Sequence, residues 1–354
     1  RVVFFSNDLN ILSVLIFWKK FLRLPVSVVS DWHLLTETSK DRFVADNSDA
    51  VITTSHKLER AIRSVSLLSR VHTVHGGVSL DAFKTTKDRT SLRAELNLPK
   101  DAFIIGYVGG FMTMGMEKGI HTMINALSSL GPNTVMAFIG GKDAEIERYK
   151  AYAASKGISE RCIFIGVQSF NRVALYEKAM DVLVIPYPDK PHFRNYGFPM
   201  KIYEYMASGT LVIYTTLELV EEVASDCAYG VLPDSPRELA SKIVFIQSHP
   251  QEAGTLAAKA LQKAHGYSWD AKARSILDIS DIMPAMLTIP AKAVPYILFQ
   301  RTAYLIYQNN RFLNKIVIHL PFFTYNRAVF FEAHVFKNRI KKLFSEDISR
   351  EYEN

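Results

Sequence analysis

The fold turns on one stretch: Asp181-Val182-Leu183-Val184-Ile185-Pro186-Tyr187-Pro188, a polar run to Asn195, and then Tyr196-Gly197-Phe198-Pro199-Met200-Lys201-Ile202-Tyr203-Glu204-Tyr205-Met206-Ala207-Ser208-Gly209. A short apolar run rich in Val and Ile, stopped by proline, predicts a buried strand. The loop after it leads, at residues 197–200, into a helix carrying Lys201 and Glu204. The first amides of a helix have no partner inside it, and the helix dipole favours an anion there. Lys201 adds a movable positive charge. Glu204 follows three residues on, near the same face, where a carboxylate accepts from two neighbouring hydroxyls. One helix start thus suits a phosphate beside a ribose. The competing reading of this Lys and Glu is a solvated helix pair, and the flanking sequence decides between the two.

Outward from this stretch the pattern repeats. Apolar runs predict strands at 103–108, 135–139, 163–165, 182–185 and 211–213, each followed by a helical pattern, with one helix starting near Lys118. Glycines close these strands at Gly109, Gly110, Gly140, Gly141 and Gly166. Ligands of doubly wound sheets bind at the carboxyl ends of the strands, so these glycines border a candidate site. Earlier in the chain, strands are predicted at 2–5, 26–30, 51–54 and 71–74. Helices are predicted at 8–21, at 42–45 and from Ser55, which suits an N-cap. Strands alternating with helices predict an α/β fold of two Rossmann-like units with parallel sheets. The polar stretch 84–100 reads as a linker with one helix. It divides a partial N-terminal unit at 1–90 from a second unit at 91–282.

The chain has 354 residues, of which 48% are hydrophobic, enough for about two domains. Its formal net charge of +7 suits anionic partners, whether nucleotides, phospholipid head groups or nucleic acid. No stripe or motif for nucleic acid accompanies that charge, so nucleic acid is not an expected partner. Cys162 and Cys227 have neither metal-ligand spacing nor the numbers of a disulfide framework, so a reducing, cytoplasmic setting without a metal site is expected. No apolar run reaches the roughly 18 residues of a spanning helix. The run 11–18 is too short to span and reads as a buried helix. The chain opens on Arg1, without Met, in what reads as a strand inside a domain, so further N-terminal sequence is expected.

The flanks of Lys201 and Glu204 resemble the nucleotide-binding signature of the family-four glycosyltransferases, which have the two-domain GT-B fold. That signature places a Glu, seven residues, and a second Glu followed by Ala-Met-Ala-x-Gly or a close variant. Glu204-Tyr205-Met206-Ala207-Ser208-Gly209 matches its second half, which implies that Glu204 binds the donor ribose. Tyr196 stands where the first acid falls. Tyr107-Val108-Gly109-Gly110 followed by Glu117-Lys118-Gly119 resembles the family's glycine and Lys-Gly segment, which implies a diphosphate contact for Lys118. Gly110 takes the place of the Arg often found there. Arg161-Cys162-Ile163-Phe164-Ile165-Gly166 resembles the strand that frames the base, which implies base contacts for Val167 and Gln168. Asp31-Trp32-His33 resembles a strand-end Asp-x-His, which places His33 toward the transferred sugar or the acceptor; a structural histidine is the alternative. Gly76-Gly77-Val78 resembles the hinge, and Trp269 near the last helix start reads as packing.

The resemblance covers about residues 1–280. It implies catalysis in a cleft between domains by Lys118, Lys201 and His33. The donor-binding set is Gly109, Gly110, Val167, Gln168, Tyr196, Gly197, Phe198, Pro199, Met200 and Glu204. It further implies a nucleoside-diphosphate sugar as donor, a glycan or lipid-linked acceptor in cell-envelope or polysaccharide biosynthesis, no metal or other cofactor, and retention of configuration. The alternative is a non-catalytic nucleotide-sugar-binding or regulatory module. A phosphorylase ranks below both, because no lysine motif typical of a pyridoxal cofactor is seen. Residues 283–354 form a basic, aromatic extension with its acids gathered at the tip. It reads either as helical packing on the catalytic domains or as an anchor to an anionic membrane surface, which would make the protein peripheral on the inner face of the membrane.

Overall fold

The computed structural model describes residues 2–66 and 70–279, which all lie within one compact unit; the extension 283–354 lies outside the described residues. The first half is β1 (Val2–Ser6), α1 (Leu9–Leu22), β2 (Val26–Trp32), α2 (Ser39–Asn47), β3 (Ala50–Thr53), α3 (His56–Val65) and β4 (Val71–Thr73). All strands pair in parallel, in the sequential order β1-β2-β3-β4. Polar side chains start the crossover helices. Asp8 accepts from the amides of Asn10 and Ile11, Thr38 from Asp41 and Ser55 from Leu58.

Helix α1 corrects the expectation of a buried run. Leu12 and Ile16 are buried against the sheet, but Ile11, Val14, Phe17 and Trp18 are exposed. A sheet covers one stripe of a helix, and this helix is apolar around most of its circumference. The outer rings pack on one another instead: Phe17, Trp18 and Phe21 lie 5.6–6.1 Å apart by centroid.

The second half follows with α4 (Arg89–Glu95), β5 (Phe103–Val108), the small hairpin β6 (Met112–Thr113) and β7 (Met116–Glu117), α5 (Ile120–Leu127), β8 (Thr134–Gly141), α6 (Asp143–Ser155) and β9 (Cys162–Gly166). Then come α7 (Phe170–Ala179), β10 (Val182–Ile185), α8 (Pro191–Asn195), α9 (Lys201–Ser208), β11 (Leu211–Thr215), α10 (Glu218–Ala224), β12 (Tyr229–Val231), α11 (Pro236–Ser248), α12 (Pro250–Ala264) and α13 (Trp269–Ile279). Six strands form one parallel sheet in the order β12-β11-β10-β5-β8-β9. Two dense apolar layers cover its faces, one including Ile104, Leu183, Tyr205 and Val212, the other Ile105, Phe138, Val184 and Ile213. The alternation along β5 and β10 sends successive side chains to opposite layers.

The segment read as a linker joins this core. Leu92, Leu96 and Leu98 are buried with Ile104 and Ala179. Arg93, 5% exposed, donates to the carbonyls of Ala179, Lys100 and Ala102 and pairs with Asp181 at 2.6 Å. Asp181 also accepts from the Ile104 amide at 2.7 Å, so the head of the deciding stretch is pinned to β5. At the other end of the fold, α13 crosses back: its Ile276 packs with Val29, Ile52 and Val74 of the first half. Among the described residues no helix is long and apolar enough to cross a membrane.

Candidate functional site

The second sheet reverses direction between β5 and β10. From β5 the chain adds β8 and β9 on one side, then returns to add β10, β11 and β12 on the other. Connections leaving to opposite sides open a crevice at the carboxyl ends of the two central strands. Three segments border it: Gly109-Gly110 after β5, Lys118-Gly119 before α5, and the turn into α9. Gly119 has φ 88° and caps α5, and a Cβ there would run into the carbonyl of Pro186 after β10. Only glycine lets the Lys118 turn sit against that strand end. Gly109, at φ 133°, leaves room for Lys201, because a Cβ would stand 2.5 Å from its Nζ.

Lys201 is the centre of the crevice and is only 8% exposed. Its Nζ donates to the Tyr107 hydroxyl at 3.0 Å and to the Val108 carbonyl at 3.2 Å, and lies 4.2 Å from the Tyr107 ring centroid. Burial, then the charge of Lys118, lowers its pKa to about 7 against the pull of Glu204 and Glu177. Burial also lowers Lys118 and raises Glu204, whose shift Lys201 opposes. Lys118 and Glu204, from two separate motifs, are therefore close enough for their charges to act on Lys201. The sequence reading missed what lies beneath them. Tyr205 accepts from the Val108 amide at 2.8 Å and donates to the Val108 carbonyl at 3.1 Å. Glu177 is fully buried on α7, neither of its carboxyl oxygens has a hydrogen-bond partner, and burial lifts its pKa well above the usual range. Burial thus disfavours its charged form.

The turn before α9 differs from expectation. The polar run holds a short helix, α8, opened by Pro191 at its first position. Its His192 carbonyl accepts from the amides of Tyr196 and Gly197 at 2.9 and 2.7 Å, and Tyr196 accepts from Phe198 at 2.8 Å. Pro199 has no amide hydrogen. The expected open donors at Gly197 and Phe198 are thus already used, while the amides of Met200 and Lys201 have no acceptor among the described residues. Phe198 stacks on Tyr203 at 5.6 Å and lies 6.0 Å from His75, so it packs toward the first half. Met200 meets the Gly76 backbone, and Tyr203 accepts from the Gly76 amide at 3.2 Å. Tyr196 is exposed.

The remaining expected residues follow other strands. Val167 and Gln168 follow the edge strand β9; Val167 is exposed, and Gln168 is engaged with the carbonyls of Gly166 and Val167 and with Arg172. His33 follows β2 at the carboxyl edge of the first sheet, exposed, 3.3 Å from the buried Asp31. Burial pushes the Asp31 carboxyl up, but His33 and Lys272 outweigh it and hold the group below its usual value.

Across from α9, helix α3 presents another start. There the Glu222 carboxylate of α10 accepts from the His56 and Lys57 amides at 2.8 and 3.0 Å. Glu218, one turn earlier, pairs with Lys57 at 3.1 Å and with Arg60. Lys57 also donates to the Arg194 carbonyl at 3.0 Å.

This crevice lies inside the region, residues 88–263, that matches the family described as glycosyl transferases group 1. Through these residues the chain belongs to the group 1 glycosyl transferases. It is 28% identical over 210 residues to D-inositol 3-phosphate glycosyltransferase 1 of Catenulispora acidiphila, covering 56% of this chain and 49% of that one. The chain spans about half the length of the curated relatives it matches. Among solved structures, HepE of Anabaena in complex with UDP superposes with a TM-score of 0.67 at 18% identity, covering 79% of each chain. Sucrose-phosphate synthase of Thermosynechococcus elongatus gives a TM-score of 0.64 at 24% identity, covering 78% of this chain and 72% of that one. At such identities the likeness is one of fold, and it places this group 1 glycosyl transferase among the GT-B structures.

Proposed function

We propose that the chain is the donor-binding part of an enzyme that moves a sugar from a nucleoside-diphosphate sugar to a glycan or lipid-linked acceptor. The observation that carries this reading is the gathering of Lys118, Lys201 and Glu204 at the switch point between β5 and β10. HepE, solved with UDP, supports it by analogy. As the glycosidic bond to the β-phosphate breaks, negative charge collects on the departing phosphate. Fixed cations aimed at that charge lower the barrier. Lys118 and Lys201 supply them, with the amides of Met200 and Lys201 beside. Glu204 accepts from the ribose hydroxyls and sets the depth of the nucleotide. The two lysines take the charge-neutralising part that a metal plays elsewhere, so transfer is proposed to be metal-independent. Tyr196 contributes to sugar recognition where a carboxylate is usual, and Val167 and Gln168 border the base.

His33, retention of configuration, a place in cell-envelope or polysaccharide synthesis, and a peripheral site on the inner face of the membrane through residues 283–354 complete the proposal. A panel of nucleotide sugars screened by thermal shift tests the donor step, since a ligand that binds the folded state raises the melting temperature. A rise with at least one nucleotide sugar, followed by transfer of labelled sugar, is expected. Binding without transfer or donor hydrolysis makes the chain a nucleotide-sugar-binding module, and no binding to any of the panel removes the reading.

A further inference from the structure

We propose that Tyr107 is the positioning residue of Lys201, a phenol that holds the ammonium in its charged form at the mouth of β5. This rests on the reading of Lys201 as a diphosphate ligand and adds what keeps that lysine fit for the task.

The geometry is specific. Tyr107 is completely buried on β5. Its hydroxyl accepts from Lys201 Nζ at 3.0 Å and donates to the Gly110 carbonyl at 2.8 Å. One phenol thus joins the lysine on α9 to the glycine turn after β5. The ring lies 4.2 Å from the same Nζ and offers its electrons to the cation. The Val108 carbonyl takes a second ammonium hydrogen at 3.2 Å, and Tyr205 fixes that peptide from both sides. An ammonium has three donors. Two are committed to the floor of the crevice, and the third is left for a ligand.

A buried lysine without such acceptors loses its proton, because a low-polarity surrounding penalises the charged form. Here the balance is close: burial and Lys118 have already brought the group to about 7. The ionisable groups that act on Lys201 are Lys118 before α5, Glu177 on α7 and Glu204 on α9, with the phenols of Tyr107 and Tyr205 beneath. Of the acids, both Glu177 and Glu204 have their charged forms disfavoured by burial. The hydroxyl of Tyr107 is therefore one of the few groups that favour the ammonium over the amine. It does so without carrying a charge, so it does not compete with an incoming diphosphate.

The test is Tyr107→Phe in the 354-residue chain, which keeps the ring and removes only the hydroxyl. Two measurements separate the possibilities. The first follows Lys201 in the ligand-free protein by NMR of its side-chain carbon against pH. The second follows binding of UDP-glucose, whose diphosphate has no titrating proton near neutrality, by calorimetry over the same range. The sign is fixed by the chemistry. Binding favours the ammonium, so affinity is full below the lysine's midpoint and falls as pH rises through it. Losing an acceptor of the charged form moves that midpoint down by about one unit. In the variant, both the NMR midpoint and the alkaline loss of affinity should shift to lower pH by that amount, and Tyr107→Leu should shift them further. Coincident NMR midpoints in wild type and Tyr107→Phe overturn the proposal whatever happens to activity, and leave the donor-site reading standing. A displaced midpoint together with no UDP-glucose binding by the wild type supports the positioning role and counts against UDP-glucose as the donor.

Discussion

Two helix starts lie near each other in this molecule, and the chain treats them in opposite ways. Helix α3 begins with amides that the Glu222 carboxylate of α10 already occupies. Helix α9 begins with the amides of Met200 and Lys201, which have no acceptor among the described residues, beside two lysines whose charges crowd one another. The physics of the two positions is the same, because unpaired amides and the helix dipole attract an anion. The difference is who supplies the anion. At α3 the protein does, and the result is a joint between its two halves. At α9 no side chain of the described residues fills that place, and under the proposed function the donor diphosphate does. Depressed lysine pKa values belong to this second case. Burial is the first cause of both, and at Lys201 the charge of Lys118 adds to it.

The comparison is broken most severely at Lys201 and Lys118. Lys201→Ala and Lys118→Ala should each lower sugar transfer by about 10²–10³-fold, the usual loss when a preorganised charge partner is removed. Transfer rates that match wild type in both variants would end the distinction between the two starts. Glu204→Ala should act on binding: a hydroxyl-accepting carboxylate is worth about 1.5–3 kcal/mol, so donor affinity should fall at least about tenfold by calorimetry. An unchanged Kd would assign Glu204 to structure. Glu222→Gln sharpens the contrast from the α3 side. It should lower stability by about 1 kcal/mol in denaturant melts while leaving donor affinity intact. If instead donor affinity changes and stability does not, the carboxylate at α3 belongs to the ligand site. The exposed partner Arg60 comes last: Arg60→Ala should shift stability by no more than about 0.5 kcal/mol, because solvent screens such pairs.

The sequence conveys these two sites unequally. The strands were legible because they are short apolar runs, with β5, β8, β9 and β10 closed by glycine or proline, and Lys201 and Glu204 were legible because they share one turn of one helix. The inward fold of Lys201 was not, since it depends on Tyr107, 94 residues away and on another element. Glu222 sits 166 residues from His56 and is one Glu among several on α10, so no local pattern points to it. Helix α8 escaped notice because five residues carry no periodicity, and its carbonyl at His192 then consumed the amides expected to face a ligand. On α1 the pattern failed in the opposite way. A helix apolar on most sides does not say which side the sheet will cover.

Helix α13 follows the second sheet in sequence yet places Ile276 among Val29, Ile52 and Val74 of the first. The chain is therefore buckled rather than strung: its final described helix straps over the portion that was laid down at the start. Nicking the exposed residues around Lys87 would sever the covalent link without freeing either fragment, because the strap and the Glu222 joint hold them side by side. The opening portion made without the strap would bare those three apolar side chains, and its usefulness as a separate part ends there.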